Sequence, residues 1–476
     1  MASVAQQASS PPVSLPSRAG AREHQALSVA FAQGRTRPLT WRMFQLEAID
    51  RMLVAEEAAF LAALRSDLGK GSAEALTTEI AFVRAEVAHM RKSLSRWTER
   101  ERVGTPWLLK PGRSYIVREP LGVVLVIGSW NLPVPVLLGP VVAAIAAGNA
   151  VAMKPSELAP ATSALIAKLV PRYLDPTAIA VVEGGVEETT ALLGRRWAHI
   201  FYTGGATVGR IVAAAAARHL TPVTLELGGK SPAYVADDAD LTVTARRLAW
   251  AKWMNAGQVC VSPDYVLADE NIVRPLVTAL KCALYEFYGD DPQRSGDYGR
   301  IVSQRHHDRL TGLLAGHGGD LVHGGQSDRD DRYMAPAIVV EPDPESPLMR
   351  EEIFGPILPI VPVSGEAAAV AAVNAGPKPL TLHVFSRDAA TFERFERETS
   401  SGALIGNDAI VNHRVHGLPF GGVGDSGYGA YHGRAGFETF SHRKAVMRRP
   451  TILDTALRYP PFTPARLKAL RRFTGA

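Results

Sequence analysis

Between residues 121 and 153 the chain carries no Asp, Glu, Lys or Arg, and no other feature limits its fold as tightly. A run of that length would cross a bilayer, which needs about 20 apolar residues. Yet Asn131, Pro133, Pro135, Gly139, Pro140, Gly148 and Asn149 interrupt it. They predict a short strand, a turn, a helix and a second turn. Strands of a parallel sheet covered on both faces read as uncharged runs of this kind. The segment is therefore expected to be buried core. No spanning run follows at the C-terminus, so no membrane anchor is expected.

Downstream, two kinds of segment alternate. Strands are predicted over 123–127, 151–153, 179–182, 199–202 and 223–225. Helices are predicted over 136–147, 160–170 (stopped by Pro171), 187–193 and 208–219. Such alternation means βαβ units and a parallel sheet, which binds ligands outside the carboxyl ends of its strands. A second α/β region shows strands at 266–267, 380–385 and 403–407 and a helix over 272–288. Upstream, residues 22–102 read as helices. Leu27, Ala30 and Phe31, then Phe44, Ile49, Met52 and Leu53, recur at helical spacing. Gly69 and Gly71 mark a break, and 114–117 is strand-like.

At 476 residues the chain is long enough for more than one domain. With 46% hydrophobic and 21% charged residues it is globular. The net charge of +5 is mild, and basic residues are dense only at 443–449 and 466–472. These read as a solvated surface or a subunit contact, so no nucleic-acid partner is expected. Two cysteines, Cys260 and Cys282, make no disulfide framework and suit a reducing, cytoplasmic setting. Residues 1–21 are rich in Ala, Ser and Pro and lack a signal-type apolar run. They are expected to form a disordered leader.

Some motifs mislead. Gly229-Lys230-Ser231 resembles the end of a phosphate loop, but Thr224 stands where that loop needs glycine. His306, His307, His413 and His416 lack metal-ligand spacing, so no metal is expected and loop or surface positions are. Cys282, inside a helical segment, reads as a small buried hydrophobe.

Cys260 differs. It follows Asn255-Ala256-Gly257-Gln258-Val259 and precedes Ser262-Pro263, a turn where amide N–H groups are left over. An activated thiol beside such an amide can attack a carbonyl; a buried inert thiol is equally consistent with the local sequence. Glu226 ends a buried-type strand before Gly228-Gly229. Its carboxyl should be desolvated and its pKa raised, which suits a general base. A structural turn cap, or a pair with Lys230, is the competing reading. Asn131, after the first strand, is either turn chemistry or an oxyanion donor.

Together, Trp130-Asn131, Leu225-Glu226-Leu227-Gly228-Gly229-Lys230-Ser231-Pro232, the 255–260 string and Glu351-Glu352-Ile353-Phe354-Gly355-Pro356 resemble the aldehyde dehydrogenase superfamily. The likeness runs from about residue 25 to 450 and is strongest with the class 3 branch of fatty and aromatic aldehyde dehydrogenases. It implies an α/β fold with a Rossmann-like NAD(P)-binding domain (22–101 and 121–228), an α/β catalytic domain (229–418) and a small β bridging, oligomerising element (102–120 and 419–450). Residues 451–476 are a tail. It implies NAD or NADP as cofactor, a small-molecule aldehyde as substrate (long-chain, aromatic or small), and a homodimer.

The resemblance further implies Cys260 as nucleophile, Asn131 as oxyanion donor and Glu226 as the base that activates the hydrolytic water. Lys154 and Glu157 would contact the adenosine ribose. Gly204 and Gly209 would underlie the pyrophosphate, and Glu352, Phe354 and Trp130 would lie at the nicotinamide end. Two departures concern the surroundings. Gly205 stands where many members have serine, and Leu132 and Pro135 follow Asn131 in a stretch near which class 3 members commonly carry aromatics, which bears on the substrate channel. A CoA-acylating dehydrogenase, or a non-catalytic protein that keeps the fold, are the alternatives. Glu226 argues against the first and the complete residue set against the second. The particular aldehyde is not encoded in any one motif.

Overall fold

The structure, a computed structural model, describes residues 19–452 and 454–474. Residues 1–18 of the expected leader lie outside that range; a helix begins at Ala21. The chain divides into two compact units. One comprises Met1–Trp97 with Pro120–Ser441, the other Thr98–Glu119 with His442–Ala476.

In the larger unit the uncharged stretch becomes strand Val123–Ile127, helix Pro135–Ala147 and strand Ala150–Lys154. Alternate residues of the first strand enter different cores, as a period of two requires. Val124 and Val126 pack with Leu137, Val141, Met90 and Phe437. Val123, Leu125 and Ile127 pack with Leu27, Ala152 and Val212 on the other face. Full burial of each such side chain stabilises by roughly 1.5–3 kcal/mol. Helix Pro135–Ala147 is buried over its whole length, which explains the missing charges.

This sheet has six strands. Val123–Ile127 lies between Ala150–Lys154 and His199–Thr203, all parallel. Ile179–Val181 extends one side and Val223–Glu226 the other. Antiparallel Gly427–Tyr428 closes the sheet against Glu226 and Leu225. A second, seven-stranded sheet runs Asp320–His323, Ala337–Val340, Ile357–Val363, Tyr265–Asp269, Pro232–Val235, Thr381–Phe385, Ala403–Gly406. Only its first strand is antiparallel to its neighbour.

Gly139 and Pro140 lie inside Pro135–Ala147, within the helix expected over 136–147; one proline near its start removes a single helix bond, and packing on every side offsets that. Several expectations need correction. Pro171 does not stop its helix but sits inside Pro160–Tyr173. Phe44 is 54% exposed, because Leu46, Ile49, Met52 and Leu53 take the buried face of its helix. Cys282 is exposed. Its helix buries Leu276, Val277, Leu280, Ala283 and Leu284, and Cys282 lies two residues, about 200°, round from Leu280.

The smaller unit holds a three-stranded sheet in the order Glu101–Val103, Arg113–Pro120, Ser441–Arg448. Glu101 pairs with Arg118 at 2.6 Å, and Lys444 pairs with Glu119. Strand Ser441–Arg448 has one neighbour in this sheet and is mostly exposed. A helix, Pro464–Thr474, follows near the end. Among the described residues, no helix is long and apolar enough to cross a membrane.

Candidate active site

Cys260 is free and half-buried on the turn after helix Leu241–Trp253. The backbone leading to it is unusual. Asn255, Ala256 and Gly257 are all left-handed, with φ of 52°, 50° and 76°. Two non-glycine residues there cost about 1–3 kcal/mol each, so the surroundings must hold them. Gln258, buried completely, does much of this. Its amide nitrogen donates to the Asn255 and Arg300 carbonyls, both at 2.9 Å, and its oxygen accepts from the Val302 N–H at 2.9 Å. Asn255 donates to the Asn131 carbonyl at 2.8 Å. At Gly257 a side chain would strike the Gly355 carbonyl.

Asn131 is 3% exposed in the turn after strand Val123–Ile127. One amide proton goes to the Gln258 carbonyl at 3.0 Å, and its oxygen accepts from the Ser129 hydroxyl at 2.7 Å. Its own carbonyl takes a bond from Lys70 at 3.1 Å. Lys70 forms a buried ion pair with Glu79, which in turn accepts from the Val134 N–H at 3.0 Å. The turn and the cysteine loop are thus tied through one buried polar network. Asn131 is not among the residues that line the cleft, though its neighbour Leu132 is.

That cleft is lined by Cys260 and Glu226 together with Leu132, Val136, Trp250, Val261, Phe420 and others. Glu226 ends strand Val223–Glu226 and is 3% exposed. Neither carboxylate oxygen has a hydrogen-bond partner among the described residues. Burial pushes its pKa well above the usual carboxylate range. The competing pair with Lys230 does not form, because Lys230 pairs with Asp264. Burial, then the charges of Glu352 and Glu226, push the Cys260 thiol up to about 12. Burial likewise raises Glu352 to about 7.

Trp130 and Phe354 meet edge to face at 5.3 Å, and Phe354 is left-handed with φ of 46°. The Glu352 carboxylate occupies the space where Gly228 lacks a side chain. Lys154 ends its strand and donates to the Pro155 carbonyl at 2.7 Å and to exposed Glu157 at 3.3 Å. Gly204 follows strand His199–Thr203, and Gly209 lies in helix Ala206–Ala217, where a side chain would come within 2.8 Å of Leu227. The first N–H groups of that helix have no intrahelical acceptor and suit a diphosphate. An anion-accepting helix start, a Lys–Glu pair at a strand end and a carboxylate beside an aromatic pair fit a dinucleotide.

The sequence reading overlooked other side chains here. His413 and His432 line the cleft, and Phe82 touches both at 5.2 Å. Glu86, buried, accepts from the Gly433 N–H at 2.7 Å and lies 2.9 Å from His416. The expectation of surface or loop histidines fails for His307, which is buried in helix Gln304–Ala315 and lies 3.1 Å from the Tyr333 carbonyl. His306 packs on Trp130 at 5.1 Å. Isolated histidines carry no sequence signal for such partners. Among the described residues no cluster could hold a metal.

Known proteins share this fold. The aldehyde dehydrogenase family profile matches residues 19–446. The dog protein "Aldehyde dehydrogenase, dimeric NADP-preferring" is 48% identical over 92% of this chain and 96% of its own. The macaque protein "Aldehyde dehydrogenase family 3 member A2" is 46% identical over 95% and 94%. The solved "Substrate bound state of Staphylococcus Aureus AldH" superposes with a TM-score of 0.93 at 40% identity, covering 95% of this chain and 99% of that one. The alternatives of a CoA-acylating or non-catalytic protein are not favoured. The chain belongs to the aldehyde dehydrogenase family, among relatives of its class 3 branch, and is an NAD(P)-dependent aldehyde dehydrogenase.

Proposed function

We propose that the cleft oxidises an aldehyde to a carboxylic acid on Cys260, with Glu226 as the base and Asn131 as the oxyanion donor. The observation that carries this reading is the convergence of Cys260 and Glu226 on one largely apolar cleft, with the Glu226 carboxylate left without a partner. An unpaired buried carboxylate costs stability, and the cost is explained if the group must accept a proton from water.

The Cys260 sulfur adds to the aldehyde carbon and gives a thiohemiacetal. The Asn131 amide and the Cys260 N–H stabilise the oxyanion as it forms, which favours the tetrahedral adduct over the planar aldehyde. When bound, the nicotinamide supplies the hydride acceptor that turns this adduct into a thioester. Glu226 then takes a proton from water, the hydroxide attacks the thioester carbon, and the acid leaves as the cysteine is restored.

Lys154 and Glu157 would hold the adenosine ribose, Gly204 and Gly209 the pyrophosphate, and Glu352, Phe354 and Trp130 the nicotinamide end. Glu157 can accept from ribose hydroxyls, which favours NAD, while a relative is named NADP-preferring; we assign both cofactors to the site. We assign cofactor binding to residues 22–101 with 121–228, catalysis to 229–418, and bridging to 102–120 with 419–450. A homodimer is supported by the word "dimeric" in that name and by the one-sided pairing of strand Ser441–Arg448. A cytoplasmic setting follows from two free thiols.

The test is absorbance at the reduced-nicotinamide band with purified protein, NAD or NADP, and a panel of aliphatic and aromatic aldehydes, followed by product identification. Reduced cofactor with free acid supports the reading; acyl-CoA as the only product, or silence across the panel with Cys260 reduced, overturns it.

A further inference from the structure

The lining of the cleft is uneven in exposure and charge. Glu226 is buried and Cys260 half-buried, whereas Arg414, the only Lys or Arg among the lining residues, is exposed. The rest of the lining is mainly aliphatic and aromatic. Arg414 reaches across to the segment Leu76–Ile80, a π-helix, and donates one long bond of 3.4 Å to the Thr77 carbonyl. Stretches of π-helix recur at functional sites. No carboxylate pairs with Arg414 among the described residues, so most of its five N–H donors remain open.

Beside it, burial lowers His413 to about 4. That ring is neutral at ordinary pH and leaves Arg414 as the local charge. A guanidinium fork is shaped for a planar carboxylate, which it binds through two parallel hydrogen bonds. An exposed arginine on the lining of an apolar cleft also attracts anions before they enter.

We infer that the enzyme is built for aldehydes that carry a carboxylate at the far end of an apolar chain or ring, with Arg414 as the residue that selects them. This rests on the dehydrogenase reading above and narrows its substrate class. The aldehyde carbon lies at Cys260, the hydrocarbon fills the apolar wall, and the distal carboxylate meets Arg414 and stays near water.

A matched pair of substrates isolates the effect: 9-oxononanoate and its methyl ester, assayed at low salt with the full chain. The ratio of their kcat/KM values cancels any loss of folded protein. We expect the carboxylate to be preferred by about tenfold, the lower range for a charge-assisted hydrogen bond. Arg414→Gln should bring the ratio near one, Arg414→Glu should invert it, and Arg414→Lys should retain part of it. High salt should shrink it. Oxidation of both compounds at equal efficiency, or a preference that survives Arg414→Gln, overturns the assignment to Arg414 alone. Oxidation of neither, while other aldehydes of the panel are oxidised, overturns this inference and leaves the dehydrogenase reading standing; silence across the whole panel overturns both.

Discussion

The side-chain amide of Asn131 donates to the main-chain carbonyl of Gln258 at 3.0 Å, two residues before Cys260. The expected oxyanion donor and the expected nucleophile are therefore parts of one hydrogen-bonded unit. Asn131→Ala should lower kcat by roughly a hundredfold or more, as loss of an oxyanion donor does elsewhere. Because the same change removes a loop contact, the alkylation rate of Cys260 should be measured alongside. A normal kcat would take Asn131 out of the chemistry.

Cys260→Ala and Cys260→Ser should abolish aldehyde oxidation while leaving cofactor affinity intact, since no cofactor contact is assigned to the sulfur. Fluorescence titration with NADH or NADPH, run beside the assay, separates the two effects. Turnover retained by Cys260→Ala would remove it as the nucleophile.

Glu226→Gln should release one burst of reduced cofactor and then stall at the thioester, seen by stopped-flow absorbance; a normal steady rate would remove Glu226 as the base. The same variant should also be more stable. A group whose folded pKa is raised contributes stability below its unfolded pKa and loses it as pH rises through the folded value. At neutral pH the native carboxylate is therefore a burden. We expect Tm to rise by about 1–3 °C in Glu226→Gln at pH 8, with the gap narrowing toward pH 4.

The Cys260 thiol, raised to about 12 by burial and by Glu352 and Glu226, should be alkylated slowly at pH 7. Its rate should climb through pH 9 without a plateau, because only the thiolate reacts. Glu352 gains its charge near pH 7. Glu352→Gln should therefore speed alkylation, and most clearly above that pH. An early plateau would show that the thiol is not so perturbed.

Burial opposes the charge of Glu86, yet hydrogen bonds from His416 and the Gly433 N–H, with the His432 ring nearby at 3.9 Å, hold its carboxyl well below the usual range. The bond to Glu86 in turn raises His416. Stability from Glu86 is lost as pH falls through its lowered value, and that from His416 is lost as pH rises above its raised one. Glu86→Gln should cost about 2–3 kcal/mol, most in the weakly acidic window between those limits and less in alkali. Urea unfolding at pH 5, 6 and 9 would show it; a cost independent of pH would mean that the pair is not ionic.

The sheet containing Val123–Ile127 was legible because burial on both faces leaves a mark in composition. Half of the second sheet was not. Strand Ile357–Val363 contains Pro359 and Pro362, which remove ladder donors and hide a central strand from pattern reading. Cys260 and Glu226 stood out as candidates because each sits in a distinctive local string, but the string alone left an inert thiol and a turn cap open, and only the family resemblance implied their roles. Arg414, His413 and Glu86 did not stand out, for they acquire their meaning from partners hundreds of positions away, such as Thr77 for Arg414 and Gly433 for Glu86.

The left-handed run Asn255-Ala256-Gly257 has a consequence for recognition. Its unusual backbone is fixed by Gln258 and Asn131 within the folded chain, so the loop bearing the sulfur is already ordered before any aldehyde arrives. The entropy of arranging that loop is met during folding and does not weaken each encounter with substrate. The contacts an aldehyde makes in the cleft are therefore not spent on assembling the nucleophile.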